Sequence, residues 1–327
     1  MLSEKTNSIA GMSLGGGKKE NFFFCLLEFF KKDNRWFLTS LNQVKEESHL
    51  TQDEAITNWV ESSSLKQLIV DFPLSKPPCE TCDLVCPGID LYHHPVVNNI
   101  QKRINSILNE DLKHIKENPK KYEQERRDDS LVHYGRSVLD KDTCEHILSK
   151  SFKRKLKKGF VPYWNRPIDF WIWLNYYDQM LKTFNISYDS FGNVSVMLLH
   201  KFHYLLRHLP RDLQIYESNT YIALIELYRA NIITKKHLIE LQDMNVCTLA
   251  RVRVAKAIEK KLNIFIYSKD LELISKHPKA FDSFVLAVVG KSLILDRTKK
   301  VPELGVKDDS RFIIPSYLED NESLERP

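Results

Sequence analysis

The stretch GMSLGGGKKENFFFCLLEFFKKDNRWFLTSLNQV, residues 11–44, decides the fold. Its middle, Phe22–Phe30, is an aromatic and aliphatic run bounded by turn residues. Bulky flat side chains favour a pleated surface, so the run predicts a strand. Asp33-Asn34 supply a turn. Arg35–Val44 predicts the returning strand, with Trp36, Leu38, Ser40 and Asn42 sharing one face. Before the run, Ser8–Leu14 is a short apolar segment that leads into Gly15-Gly16-Gly17. The segment therefore opens on three antiparallel strands.

Outward from there the periodicity changes. Thr51 with Glu54 three residues on is a capping box, and Ile56, Trp59 and Val60 form the stripe of a helix. Leu68-Ile69-Val70 predicts a short buried strand ending at Asp71, and Phe72-Pro73 with Pro77-Pro78 stops any continuation. Leu213–Glu217 predicts another strand. Helices are expected over Ile168–Phe184, Val194–Leu209, Tyr221–Asp243, Cys247–Lys261 and Pro278–Leu293, with Ile264–Tyr267 a strand or a helix end. Three antiparallel strands, a crossover helix and further parallel strands make an α/β class with a mixed sheet. The segment between the fourth and fifth strands is too long for a loop. The expected organisation is a core from 1–72 and 211–300, a cysteine-containing loop and large helical insertion at 73–210, and a C-terminal extension at 301–327.

Composition sets outer bounds. The 327 residues carry a net charge of +5, with 43% hydrophobic and 28% charged residues. That balance is globular, and its mild basicity permits a nucleic-acid partner without requiring one. The longest apolar run, Phe281–Leu295, is broken by Asp282, Gly290 and Lys291, so no membrane span is expected. MLSEKTNSIAGMSLGGGKKE has no apolar core of a secretory leader. The expectation is a cytoplasmic chain with reduced thiols.

Several short motifs resemble those of a family of bacterial and archaeal proteins described as predicted nucleases of RNase H fold. They are GMSLGGGKK (Gly11–Lys19), VDFPLSKPPCETCDLVCPG (Val70–Gly88), VPYWNRPIDFW (Val161–Trp171) and FDSFVLAVVG (Phe281–Gly290), with IYES (Ile215–Ser218) fitting the family's strand that ends in Glu. The second is the most specific. The resemblance implies an RNase H-like sheet and metal-dependent phosphodiester hydrolysis. Such chemistry needs carboxylates that converge on Mg²⁺ or Mn²⁺, because these hard cations want oxygen ligands. The corresponding candidates are Asp71, Glu217 and Asp282. The family pattern expects an Asp on the first strand, where this chain has Ser13. Each acid also has a structural alternative: Asp71 in a turn, Asp282 favoured by a helix dipole, Glu217 at the surface.

Two further groups carry chemistry. Cys79, Cys82 and Cys86 make C-x2-C-x3-C followed by His93 and His94. Thiolates so spaced can share zinc with His93 or His94 as fourth ligand, or pack as three buried thiols. The resemblance places a fourth cysteine near Tyr92. The run SFKRKLKKGF ends just before VPYWNR. Its basic side chains beside Tyr163 and Trp164 can track a phosphate backbone, and Arg166 can clamp a phosphate bidentately. The alternative is a solvated charged turn before a core helix. The triglycine turn with Lys18 offers a second phosphate contact, though not a P-loop: counted from Gly11, Gly17 stands where that motif needs Lys. The expected function is a metal-dependent nuclease, degenerate where Ser13 replaces Asp. The competing one is a non-catalytic nucleic-acid-binding or interaction protein with a zinc-stapled loop.

Overall fold

The computed structural model describes residues 5–14, 22–43, 52–76, 83, scattered positions between 102 and 120, 166–184, 202–301 and 311–317. Two compact units divide the chain. The first comprises Met1–Leu74, Val194–Val301 and Arg311–Pro327, and the second Ser75–Asn193 and Pro302–Ser310.

The first unit is a mixed six-stranded sheet with helices on both faces. Its strands are β1 (Lys5–Leu14), β2 (Phe22–Phe30), β3 (Arg35–Gln43), β4 (Gln67–Val70), β5 (Gln214–Glu217) and β6 (Ile264–Phe265), in the spatial order β5-β4-β1-β2-β3-β6. β1, β2 and β3 pair antiparallel, while β4 runs parallel to β1, β5 to β4 and β6 to β3. The aromatic run is thus the strand it predicts. In β3 the expected single face is interrupted. Leu26 pairs with Ser40 but Leu27 pairs with Leu38, which leaves Thr39 in a bulge. Burial accordingly passes from Trp36 and Leu38 to Leu41 instead of to Ser40 and Asn42, because one extra residue inverts a period of two.

On one face, α1 (Gln52–Ser62) and residues 202–209 close a core in which Met12, Phe24, Ile56, Val60, Leu68, Val70, Phe202 and Leu205 are buried. The rings of Phe72 and Phe202 meet edge to face with centroids 3.9 Å apart. Residues 202–209 therefore belong with the sheet, although the sequence places them in the insertion. Phe202, Leu205 and Leu209 have the sheet face as their partner. On the other face lies α7 (Pro278–Ile294), packed against β1, β2 and β4. It is apolar nearly all round, as a helix enclosed on every side must be. The small residues Gly11 and Ser13 of β1 face it. A Cβ on Gly11 would lie 2.9 Å from the Leu286 carbonyl carbon and closer still to the Ser283 carbonyl oxygen and the Ala287 amide. Helix and strand are thus in backbone contact.

Four helices lie between β5 and α7 in the chain, the first and the last of them packed directly on α7. They are α3 (Thr220–Arg229), α4 (Lys235–Glu240), α5 (Cys247–Lys261) and α6 (Ser268–Lys276). The single helix expected over Tyr221–Asp243 is two. Asn231 takes φ of 54° just after α3, and Thr234 caps α4 with its hydroxyl accepting from the His237 amide. The C-terminal stretch covers the β5 edge: the Ile313 amide donates to the Glu217 carbonyl at 2.8 Å, and the Ser218 hydroxyl donates to the Ile313 carbonyl at 2.9 Å. β7 (Thr298–Lys299) and β8 (Ile314–Pro315) pair beside it. The bridge at Glu217 closes the carboxyl end of the β5 edge. No helix among the described residues is long and apolar enough to cross a membrane.

In the last turn of α7, Lys291 is buried and donates to the Leu262 carbonyl at 2.7 Å. Burial, assisted by Arg297, pushes its ammonium down from 10.5 to about 8. The unfolded chain keeps that proton up to about 10.5, so between these pH values it binds more protons than the native chain and stability rises with pH. Each pH unit between the two values is worth about 1.4 kcal/mol. Urea unfolding should therefore show wild type gaining about 3 kcal/mol relative to Lys291→Met between pH 7.5 and 10.5. A difference that stays flat with pH would show the lysine titrating normally.

The second unit contributes α2 (Pro167–Phe184), with Ile168, Ile172, Tyr176 and Met180 buried at helical spacing.

Candidate functional site

β1 and β4 are parallel neighbours with Met12 in register with Val70. One residue further, Ser13 and Asp71 stand side by side at the carboxyl ends of the two strands. The chain leaves this point in opposite directions, β1 continuing to β2 and β3 and β4 continuing to β5. The crevice beyond strand ends at such a reversal is where open α/β sheets collect ligands.

Asp71 is held by three donors. The Ser13 hydroxyl and the Lys279 ammonium donate to Oδ2, the latter at 3.2 Å, and the Leu14 amide donates to Oδ1 at 3.0 Å. Lys279 also pairs with Asp282 Oδ2 at 3.0 Å. Asp71 and Asp282, distant in sequence, therefore meet on one ammonium. α7 makes this meeting possible. Pro278 occupies its first turn, where a missing N–H has no cost, and Lys279 and Asp282 follow at a spacing of three, on one side of the helix. The Gly11 contact seats that side against the end of β1. Asp282 lies in the second turn, past the first-turn reach of the helix dipole that was its structural alternative, so its partner is Lys279 and not the free amides of the helix start.

The electrostatics follow from burial and this pairing. The Asp282 side chain is 22% exposed. Burial pushes its carboxyl up, with Lys279 opposing and Asp71 adding to the rise. Burial disfavours the Lys279 ammonium, but the charges of Asp71 and Asp282 outweigh it and hold the group above the usual lysine range. Tyr221, at the start of α3, belongs to the same field. Its phenol is raised by burial and then by Asp282 and Asp71, against Lys279. Lys279 and Tyr221 were not legible as site residues, since neither type is diagnostic at helix starts. The three-residue step from Lys279 to Asp282 is the one signal that marks the lysine.

Glu217 is placed differently. It is registered with Val70, not with Asp71. Successive strand residues point to opposite faces, and Val70 belongs to the α1-side core, so Glu217 leaves the sheet on the face opposite the Asp71 carboxylate. It is buried, and its Oε2 accepts from the Leu74 amide at 3.0 Å. It thus braces the turn after Asp71 and does not join the acid pair. Among the described residues, no three His, Cys, Asp or Glu side chains gather as a metal cluster.

In the second unit, Arg166 does not face solvent. Its Nε and Nη2 donate to the two Asp169 oxygens at 2.9 and 2.6 Å, and its Nη1 donates to the Ser75 hydroxyl at 3.2 Å. Both partners of the ion pair are 3% exposed. The fork drawn from sequence as a phosphate clamp is engaged by a carboxylate at the head of α2. Lys18, Cys79, Cys82, Cys86 and His93, with the basic run at 153–158, Tyr163 and Trp164, lie outside the described residues.

Comparison with protein-family models, with curated proteins and with solved structures finds no match to this chain.

Proposed function

We propose that this chain is an RNase H-like nuclease relative that hydrolyses phosphodiesters at Asp71 and Asp282 with a single divalent cation. The observation that carries this is the convergence of two distant carboxylates on one positive group at the carboxyl ends of the central strands. The strand order β5-β4-β1-β2-β3, with β2 alone reversed among these five, and a last helix carrying an acid against β1 support the RNase H-like part of the reading.

The donor set suits Mg²⁺ or Mn²⁺. Lys279 Nζ is a cation already standing between two hard oxygen donors, and Mg²⁺ needs only one or two protein carboxylates when waters and substrate phosphate fill the rest. It does not suit a metal pair. Ser13 contributes a neutral hydroxyl where the family pattern has an anion, and Glu217 faces the other way. A bound divalent ion would polarise the scissile phosphate and lower the pKa of a water. The chain's own groups do the positioning. Asp71 is fixed by the Ser13 hydroxyl and the Leu14 amide, Glu217 braces the turn behind it, and Tyr221 offers a phenol at the same rim. Lys279 can reach the anionic phosphate when it leaves the carboxylates.

The test is cleavage of single- and double-stranded DNA and RNA with Mg²⁺, with Mn²⁺ and with chelator. Metal-dependent cleavage is expected, slow because one ligand acid is lost. Metal-independent binding with no cleavage would favour the non-catalytic nucleic-acid-binding alternative.

The cysteine loop is proposed as a zinc staple, through Cys79, Cys82 and Cys86 with His93. Three thiols within eight positions of a proline-rich segment carry it. Protein purified without chelator should contain close to one zinc per chain by elemental analysis. Folded, zinc-free protein would exclude the staple.

A further inference from the structure

We propose that Lys279 is a built-in counter-cation that holds Asp71 and Asp282 together in the metal-free protein and must leave them before a divalent cation can bind. This rests on the reading of the acid pair as a cation site, and it adds a regulatory element to that site.

One ammonium lies 3.2 Å from Asp71 Oδ2 and 3.0 Å from Asp282 Oδ2. A divalent ion bridging those same two oxygens would lie about 2.0–2.1 Å from each, in the space Nζ fills, so the two cations exclude one another. Without either, two largely buried carboxylates would repel across a poorly hydrated gap. The Ser13 hydroxyl and the Leu14 amide are neutral donors, and Arg251, whose charge also reaches Asp282, spends its guanidinium on the Ser275 carbonyl, so none of them replaces the bridging charge. Lys279 also has a way out. Its side chain is 31% exposed, against 12% for Asp71, and it springs from the first turn of α7, where four flexible bonds can carry the ammonium to solvent. Exchange of lysine for metal therefore requires a rotamer change of Lys279 and a small inward movement of the two carboxylates. Their oxygens stand 3.2 and 3.0 Å from the ammonium and would have to come to about 2.0–2.1 Å from a metal. The freed ammonium stays beside the site, where an anionic phosphate would draw it out. Substrate and metal would then bind cooperatively.

The experiment is Mn²⁺ binding to the full chain, followed by electron paramagnetic resonance at neutral pH without nucleic acid. Wild type should bind weakly. Lys279→Met should bind at least ~10-fold more tightly, the factor that about 1.4 kcal/mol of relieved charge competition corresponds to. It should also gain more thermal stability from Mn²⁺ than wild type does. Lys279→Arg keeps the cation and can fork onto both carboxylates, so it should bind Mn²⁺ no better than wild type. If Lys279→Met does not fold, the arginine variant carries the test, and Mn²⁺ affinity rising in it would overturn the proposal. Equal affinity in wild type and a folded Lys279→Met protein would overturn it as well. Tighter Mn²⁺ binding by Lys279→Met with no cleavage by any variant would sustain the exchange and reject the nuclease reading.

Discussion

Gly11→Ala is expected to destabilise the protein by about 3 kcal/mol or more, the upper range for overpacking a close-packed interior. The added methyl would meet the Ser283 carbonyl oxygen, the Ala287 amide and the Leu286 carbonyl carbon. These are backbone atoms in the middle of a buried helix, so no side-chain rotation can relieve the overlap and α7 must move as a body. The same shift would draw Lys279 and Asp282 away from Asp71, which belongs to the other side of that contact. Urea unfolding should therefore show a lower midpoint, and the surviving folded protein should lose divalent-ion binding with it. An alanine variant within about 0.5 kcal/mol of wild type would show that the helix is not seated on β1 at this glycine. The neighbouring close approach at Gly290, against the side chains of Ile9 and Ile69, is softer, because aliphatic side chains can turn aside.

Asp71→Asn is expected to lower metal-dependent cleavage by on the order of 10²-fold or more, several kcal/mol of barrier at about 1.4 kcal/mol per decade. The exchange is nearly isosteric. The amide oxygen can keep the Leu14 amide as donor, so the turn after β4 should survive. It removes the anion that Lys279 pairs with and that a divalent cation would need. Rates for wild type and variant, measured on one nucleic-acid substrate with Mg²⁺ and Mn²⁺ at matched folded fraction, decide the matter. Equal rates would remove Asp71 from the cation site. Asp282→Asn should behave alike, since both acids share one positive partner, whereas loss of Glu217 should act through the turn it braces and lower stability.

The sheet was legible in the sequence because its strands announce themselves locally. Phe22–Phe30 is too rich in aromatic side chains for another reading, the Asp33-Asn34 turn fixes its antiparallel partner, and Asp71 is fenced by the prolines that end β4. Those are short-range effects of side-chain shape and backbone restriction, and they act within a few residues of their cause. The bulge at Thr39 and the break between α3 and α4 were not legible. A strand alternates correctly on either side of an inserted residue, and the capping by Thr234 matters only once Leu238 has a core to enter.

The candidate site divides along the same line. Sequence alone marks Asp71 and Asp282 as acids beside apolar segments. Only the parallel register of β1 with β4, and the glycine contact that seats α7, bring them to one ammonium. Register also separates Glu217 from them: one residue of offset along β5 sends a strand side chain to the opposite face. Arg166 lies inside a motif that suggests phosphate, but the fold gives its guanidinium a carboxylate three residues away and closes both from water. A sequence lists which charges exist. Which of them are paired, and therefore which are left to meet a ligand, depends on contacts between segments far apart in the chain, and the packing of β1, β4 and α7 decides it.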